Sequence, residues 1–151
     1  MMDVFEALRA SHDRQRSLAR SLVGANRTAE EREALFQELK VELAAHAAAE
    51  ERFLYVPILM TDRGLSVARH AMAEHHEIDE LVDQLSVQNK KAPTWLLKAK
   101  KLSKAIHHHL KEEEKAFFQV AGKVLDDREK TSFAKKVLRE HARMKEALAS
   151  A

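Results

Sequence analysis

"HAAAEERFLY", residues 46–55, decides the fold, because its pattern returns 63 positions later as "HLKEEEKAFF", residues 109–118. In each copy a histidine is followed four positions on by a glutamate: His46 with Glu50, and His109 with Glu113. Residues four apart are neighbours on a helix surface, so each pair projects from one face toward one point. The repeat extends beyond these motifs. His12 precedes His46 by 34 positions, His75 precedes His109 by 34, and Leu18 and Leu22 fall on Leu81 and Leu85. A doubled helix pair predicts a pseudo-symmetric bundle whose equivalent positions face each other across its axis.

The rest of the chain is punctuated accordingly. A first helix is predicted over about 3–23, carrying Val4, Phe5, Leu8, Leu18 and Leu22 and stopped by Gly24 and Asn26. Thr28 with Glu31 forms a capping box that starts a second helix. Leu35, Leu39, Leu43, Phe53 and Leu54 lie on its apolar side, and Pro57 is near its end. "TDRG" (61–64) breaks the chain before a third helix over about 66–87, whose stripe is Val67, Ala71, Ile78, Leu81 and Leu85. Thr94 is placed to cap a fourth, with Trp95, Leu102, Ile106, Phe117 and Val120 inward and Gly122 near its end. "DDRE" (126–129) offers a further capping box and a fifth helix to about 148. Short loops between long helices make neighbours antiparallel. The expected fold is all-α: an up-down-up-down four-helix bundle over 1–121, with an additional C-terminal helix over 126–151 packed on the same domain. Phe133, Val137, Leu138, Met144 and Leu148 give that last helix a partial apolar stripe, for covering the bundle or for an oligomer contact.

Composition narrows the function. The 151 residues include three glycines and two prolines, which favours long helices in one domain. No cysteine is present, which excludes disulfides, thiolate metal sites and cysteine nucleophiles. A net charge of +2 from interspersed acids and bases gives no reason to expect a nucleic-acid or membrane partner. The start, "MMDVFEALRA", lacks a signal-peptide pattern, and no stretch approaches the roughly 20 apolar residues of a membrane span. A cytoplasmic protein is the expectation.

The apolar stripes are interrupted at one depth. His12 lies between Leu8 and Leu18, and His46 and Glu50 between Leu43 and Phe53. His75 lies between Ala71 and Ile78, and His109 and Glu113 between Ile106 and Phe117. Six inward ionisable groups are destabilising unless paired or ligated. Histidine with carboxylate and no cysteine suits iron, manganese or zinc. Four histidines and two glutamates can hold a dinuclear centre, each glutamate bridging, each ion taking two histidines and sharing an oxo or hydroxo bridge. That count gives about five ligands per ion where six is usual, and leaves open positions for a small molecule.

"SHDRQ", "HAAAEERFLY", "EHHEI" and "HLKEEEKAFF" together resemble hemerythrin-like proteins of the His-His-Glu cation-binding group, over about 1–121. The resemblance implies two non-haem iron ions, carboxylate-bridged and oxo- or hydroxo-bridged, on His12, His46, Glu50, His75, His109 and Glu113. It also implies reaction with dioxygen, nitric oxide or peroxide. One departure stands out. Asp79 occupies the place of a further histidine of the oxygen carriers, and Glu113 that of a carboxylate often aspartate. Asp79 is then an extra ligand or a hydrogen-bond partner of a ligand histidine, and the more open centre points away from simple oxygen carriage toward redox turnover or sensing.

The neighbours have milder readings. His76, about 100° around the helix from His75, is a surface residue or a contact behind the ligands. Tyr55 and Phe118 pack near the site, and the tyrosine is placed to bond a bound ligand. Glu51 and Glu114 make surface salt bridges or contacts behind the ligands. His107 and His108 are exposed or interhelical, and the repeat argues against a slipped pair of His108 with Glu112. His70 and His141 read as ordinary surface residues, and "KAKKLSK" (98–104) as a solvated face. Three functions follow: a di-iron protein for binding, sensing or protection against small ligands, with any signalling partner separate; a di-iron enzyme that decomposes peroxide or reduces nitric oxide; or a metal-free helical interaction module.

Overall fold

The computed structural model describes residues 2–150, which form five helices and no strand. Helix α1 is Val4–Leu22. Helix α2 (29–59) is α-helical over Ala29–Glu50, π-helical over Glu51–Tyr55 and α-helical again over Val56–Leu59. Helix α3 is Leu65–Val87. Helix α4 (93–124) repeats the pattern of α2: α-helical over Pro93–Glu112, π-helical over Glu113–Phe117 and α-helical over Phe118–Val124. Helix α5 is Asp127–Ala149. The first four make the antiparallel bundle, α1 packing on α2 and α4, and α3 on α4; α5 lies across α1 and α2. None of the described helices is long and apolar enough to cross a membrane.

Local chemistry accounts for most of the boundaries. The Asp3 side chain accepts the Glu6 N–H at 2.9 Å and caps α1. Both expected capping boxes form, Thr28 with Glu31 and Asp126 with Glu129, each satisfying two otherwise unpaired backbone donors. Asn26, in the loop after α1, takes the left-handed backbone region at φ 63°, where asparagine is among the tolerated residues. Thr94 does not cap α4. The helix starts two residues earlier than that cap would set it, at Pro93, whose missing N–H and preset φ suit the first helical position, and Ala92 is the N-cap without a side-chain bond.

The polar layer divides the hydrophobic core in two. One half gathers Phe5, Leu8, Leu54, Tyr55, Phe117 and Phe118, and extends to Val137 of α5. The other gathers Leu18, Leu22, Phe36, Leu85, Trp95 and Ile106. Two expected stripes are corrected. On α2 the inward residues are Phe36, Leu39, Glu42, His46 and Glu50, while Leu35 and Leu43 are only partly buried. The face turns because α5 covers the Glu42 side. On α5, Leu138 is exposed, and Ala134, Val137 and Glu140 face the bundle.

Gly64, just before α3, is required for space. A Cβ there would lie 2.3 Å from both the carbonyl oxygen and Cγ2 of Ile58. Gly64→Ala is expected to cost about 1–3 kcal/mol, because the 58–64 turn must shift. A denaturant melt measures this, and an unchanged midpoint would mean that the turn is slack.

Candidate metal centre

The six inward residues meet at one depth: His12 from α1, His46 and Glu50 from α2, His75 from α3, and His109 and Glu113 from α4. All are buried. Their ligand atoms fall into two groups, each with every atom within 4.8 Å of the others: His12, His46, Glu50 and Glu113, and His75, His109, Glu50 and Glu113. Both carboxylates belong to both groups. Nε2 of His12 is 3.1 Å from Glu113 Oε1, and Nε2 of His109 is 3.3 Å from Glu113 Oε2. Nε2 of His46 and His75 are 3.2 and 3.1 Å from Glu50 Oε1. Separations near 3 Å match the edge of an octahedron with bonds of about 2.1 Å.

These atoms are close to one another without being hydrogen-bonded. Nε2 of His12, His46 and His109, both oxygens of Glu50 and Oε1 of Glu113 are buried and have no hydrogen-bond partner. Leaving so many polar atoms unsatisfied in a core is costly, and a cation placed among them removes the cost. The donor set of imidazole and carboxylate fits a first-row divalent metal.

Each of the four inward histidines is held from behind through Nδ1. His12 Nδ1 is 2.7 Å from Glu114, His75 Nδ1 is 3.1 Å from Glu51, and His109 Nδ1 is 3.0 Å from Glu74. His46 Nδ1 is 2.9 Å from the Ser11 hydroxyl. An ionised carboxylate only accepts, so Nδ1 of His12, His75 and His109 carries a proton, and Nε2 is the atom left to face the centre, as a metal requires. Arg16 in turn holds Glu114 at 2.7 Å. Burial works against the charge on Glu114, but His12 and Arg16 outweigh it and hold its pKa at about 2.

The π-helical turns begin right after Glu50 and at Glu113. Along an ideal α-helix a residue five positions on points about 140° away. A π turn, hydrogen-bonded i to i+5, brings it back toward the same side. Tyr55, five after Glu50, is therefore fully buried at the site, its hydroxyl donating to Glu113 and lying 3.3 Å from His75 Nε2. Phe118, five after Glu113, stacks on the His12 ring at 5.7 Å. Burial, with the charges of Glu113 and Glu50, keeps the phenol of Tyr55 protonated by raising its pKa well above 10.

Other candidates lie elsewhere. Asp79 is exposed and outside both groups. His76 is exposed and pairs with Glu80 at 3.0 Å. His108 is exposed, 3.4 Å from Glu74, so the slipped pair with Glu112 does not form the site. His107 turns back to the Ser103 carbonyl at 2.8 Å. His70 is exposed as expected, 3.6 Å from Glu74. His141 is not an ordinary surface residue: it is partly buried and bonded to Glu42. Glu74, Ser11 and Glu42 were not expected at the site. For Ser11 and Glu74 the signal was adjacency, since each precedes a candidate histidine ligand and the repeat sets one on the other; Glu42 has no such signal.

Without metal, protons take its place. Burial would lower the pKa of His12, but Glu113 and Glu114 outweigh it and raise it to about 9. For His75, Glu50 and Glu51 outweigh burial and raise it to about 10. Folded values above the unfolded 6.5 stabilise fully below pH 6.5, and this stabilisation is lost as pH rises through 9 to 10. The metal-free protein is therefore expected to melt at progressively lower temperature between pH 7 and 10. Metal binding at pH 7 should release at least about one proton per chain. Calorimetry in buffers of different ionisation enthalpy measures the release; none would contradict this picture.

Comparison with known proteins agrees with this geometry. A family model described as the hemerythrin HHE cation binding domain matches residues 3–121. The fold is similar to the crystal structure of a hemerythrin HHE cation binding domain-containing protein from Mycobacterium kansasii. The TM-score is 0.85 at 25% identity, covering 97% of this chain and 90% of that one. No curated protein matches the sequence.

Proposed function

This chain belongs to the hemerythrin HHE cation-binding domain family, and from that premise we propose that it is a non-haem di-iron protein that binds or reacts with dioxygen, nitric oxide or peroxide in the cytoplasm. The observation that carries the reading is the pair of four-residue groups sharing Glu50 and Glu113, with six atoms of the site left without hydrogen-bond partners. His12 and His46 would hold one ion, His75 and His109 the other, and the two glutamates would bridge them. Bound iron supplies reversible electron transfer and open coordination positions to a small ligand.

The chain's own residues supply the rest. Glu114, Glu51 and Glu74 hold the Nδ1 protons and aim three of the imidazoles. A cavity of about 230 Å³ runs from His70 and Ser66 at the surface to His109 and Glu113. It is below the usual range for drug-sized ligands and suits a molecule of a few atoms. Phe117, Ala71 and Val67 give it an apolar wall that limits water.

One observation favours the enzymatic form of this reading. Tyr55 keeps a proton on a hydroxyl oxygen that touches Glu113 and faces His75. It sets a hydrogen-bond donor against the centre, available to a ligand oxygen that gains negative charge on reduction. Hydrogen peroxide added to the iron-loaded protein, with oxygen release followed at an electrode, separates the forms. Sustained release that falls in Tyr55→Phe supports turnover; a stable optical adduct without release supports binding. Neither peroxide, dioxygen nor nitric oxide changing the iron spectrum would overturn the small-ligand reading.

A further inference from the structure

Three of the four inward histidines are backed directly by a carboxylate, and the fourth is not. Ser11 stands behind His46 at the position where the repeat sets Glu74 behind His109. The serine hydroxyl passes the bond on. Its oxygen accepts from His46 Nδ1 at 2.9 Å and from Gln15 Nε2 at 3.3 Å, and its hydrogen goes to Glu42 Oε2 at 3.1 Å. One donor and two acceptor positions of the hydroxyl are thereby filled.

Glu42 is 3% exposed, and its other partners come from α5. His141 Nε2 bonds Oε2, and Lys145 Nζ lies 3.5 Å from Oε1. Burial works against the charge on Glu42, but His141, Lys145 and Ser11 outweigh it and hold its pKa at about 2. The repeat has no second copy of this arrangement, because the position matching Glu42 is Ala105. Helix α5 lies beyond the 3–121 span of the family match.

Taking the two-ion centre as given, we propose that α5, through His141, Lys145, Glu42 and Ser11, positions the His46 imidazole and so sets the affinity of the His12–His46 metal position separately from its partner. The reason is the direction of one hydrogen. His46 presents a bare Nε2 only when its proton is on Nδ1. Ser11 accepts that proton only while its own hydrogen is engaged by Glu42. Freed from Glu42, the hydroxyl can turn and donate to Nδ1. The imidazole proton then sits on Nε2, where it blocks the lone pair a metal needs. His141 and Lys145 of α5 hold Glu42 ionised and aimed, so a helix that contributes no inward ligand acts on one half of the centre.

The test is anaerobic titration of the full metal-free chain with ferrous iron, followed by calorimetry. In Ser11→Ala and Glu42→Leu, one of two binding steps should weaken about 10–100-fold and the other should hold. His141→Ala should weaken the same step by less, and Ser11→Thr, which keeps the hydroxyl, should restore it. Independently of metal, nitrogen-15 NMR of neutral His46 should show its proton on Nδ1 in the wild type and on Nε2 in Glu42→Leu, which has no acceptor for the Ser11 hydrogen. Both steps intact in Ser11→Ala and Glu42→Leu, or both weakened equally, would overturn the proposal and leave the two-ion centre standing. A wild type that binds fewer than two ions would overturn both.

Discussion

Glu50→Gln is expected to lose both metal ions, not one. Glu50 lies in both four-residue groups, its Oε1 3.2 Å from His46 Nε2 and 3.1 Å from His75 Nε2. Glutamine keeps the size of the side chain but replaces one ligand oxygen by an NH2 that can only donate. Loss of contacts behind a ligand weakens metal binding about 10–100-fold, so loss of a shared ligand should exceed about 100-fold at each position. His12 belongs to one group only. His12→Ala should therefore retain about one ion per chain, in the position of His75 and His109. Metal analysis of the two variants beside the wild type measures this. One ion retained by Glu50→Gln would mean two independent sites.

The second large effect is on stability. Trp95→Ala should destabilise the fold by about 3–5 kcal/mol, the range for removing a buried large aromatic. Trp95 is fully buried, meets the Phe36 ring edge-on at 5.8 Å, and donates its indole N–H to the Leu85 carbonyl at 3.0 Å. Truncation opens a cavity in the second half of the core and strands that carbonyl. At this chain length the melting temperature should drop by roughly 10 °C. His109 is 14 residues along the same helix, about 21 Å away by helical rise, so metal stoichiometry below the melt should be unchanged. A loss under about 1 kcal/mol would show that the half-core around Trp95 carries little of the fold.

The two effects separate what holds the bundle together from what the polar layer is for. They also show why much of the architecture was legible. Capping at Thr28 and Asp126 is local chemistry, and both boxes formed where the side chains predicted them. The doubled histidine–glutamate spacing is a statement about helical faces, and the six residues it singles out converge. What escaped were features without a local signature. Nothing in the composition of residues 51–55 or 113–117 announces a π turn, yet those turns swing Tyr55 and Phe118 inward. His141 looked like a surface residue because its partner, Glu42, is 99 positions away. Glu74 was hidden in plain view beside His75, because its role depends on the approach of α4. Asp79, attractive from its spacing after His75, points to the exposed side, because the inward face of α3 continues from His75 through Ile78, Val82 and Leu85.

Anaerobic purification followed by metal analysis and an optical spectrum tests the central claim most directly. The dinuclear centre predicts about two iron atoms per chain, with ligand-to-iron charge-transfer bands appearing on oxidation. A single zinc, or no metal after reconstitution with ferrous iron, would contradict it.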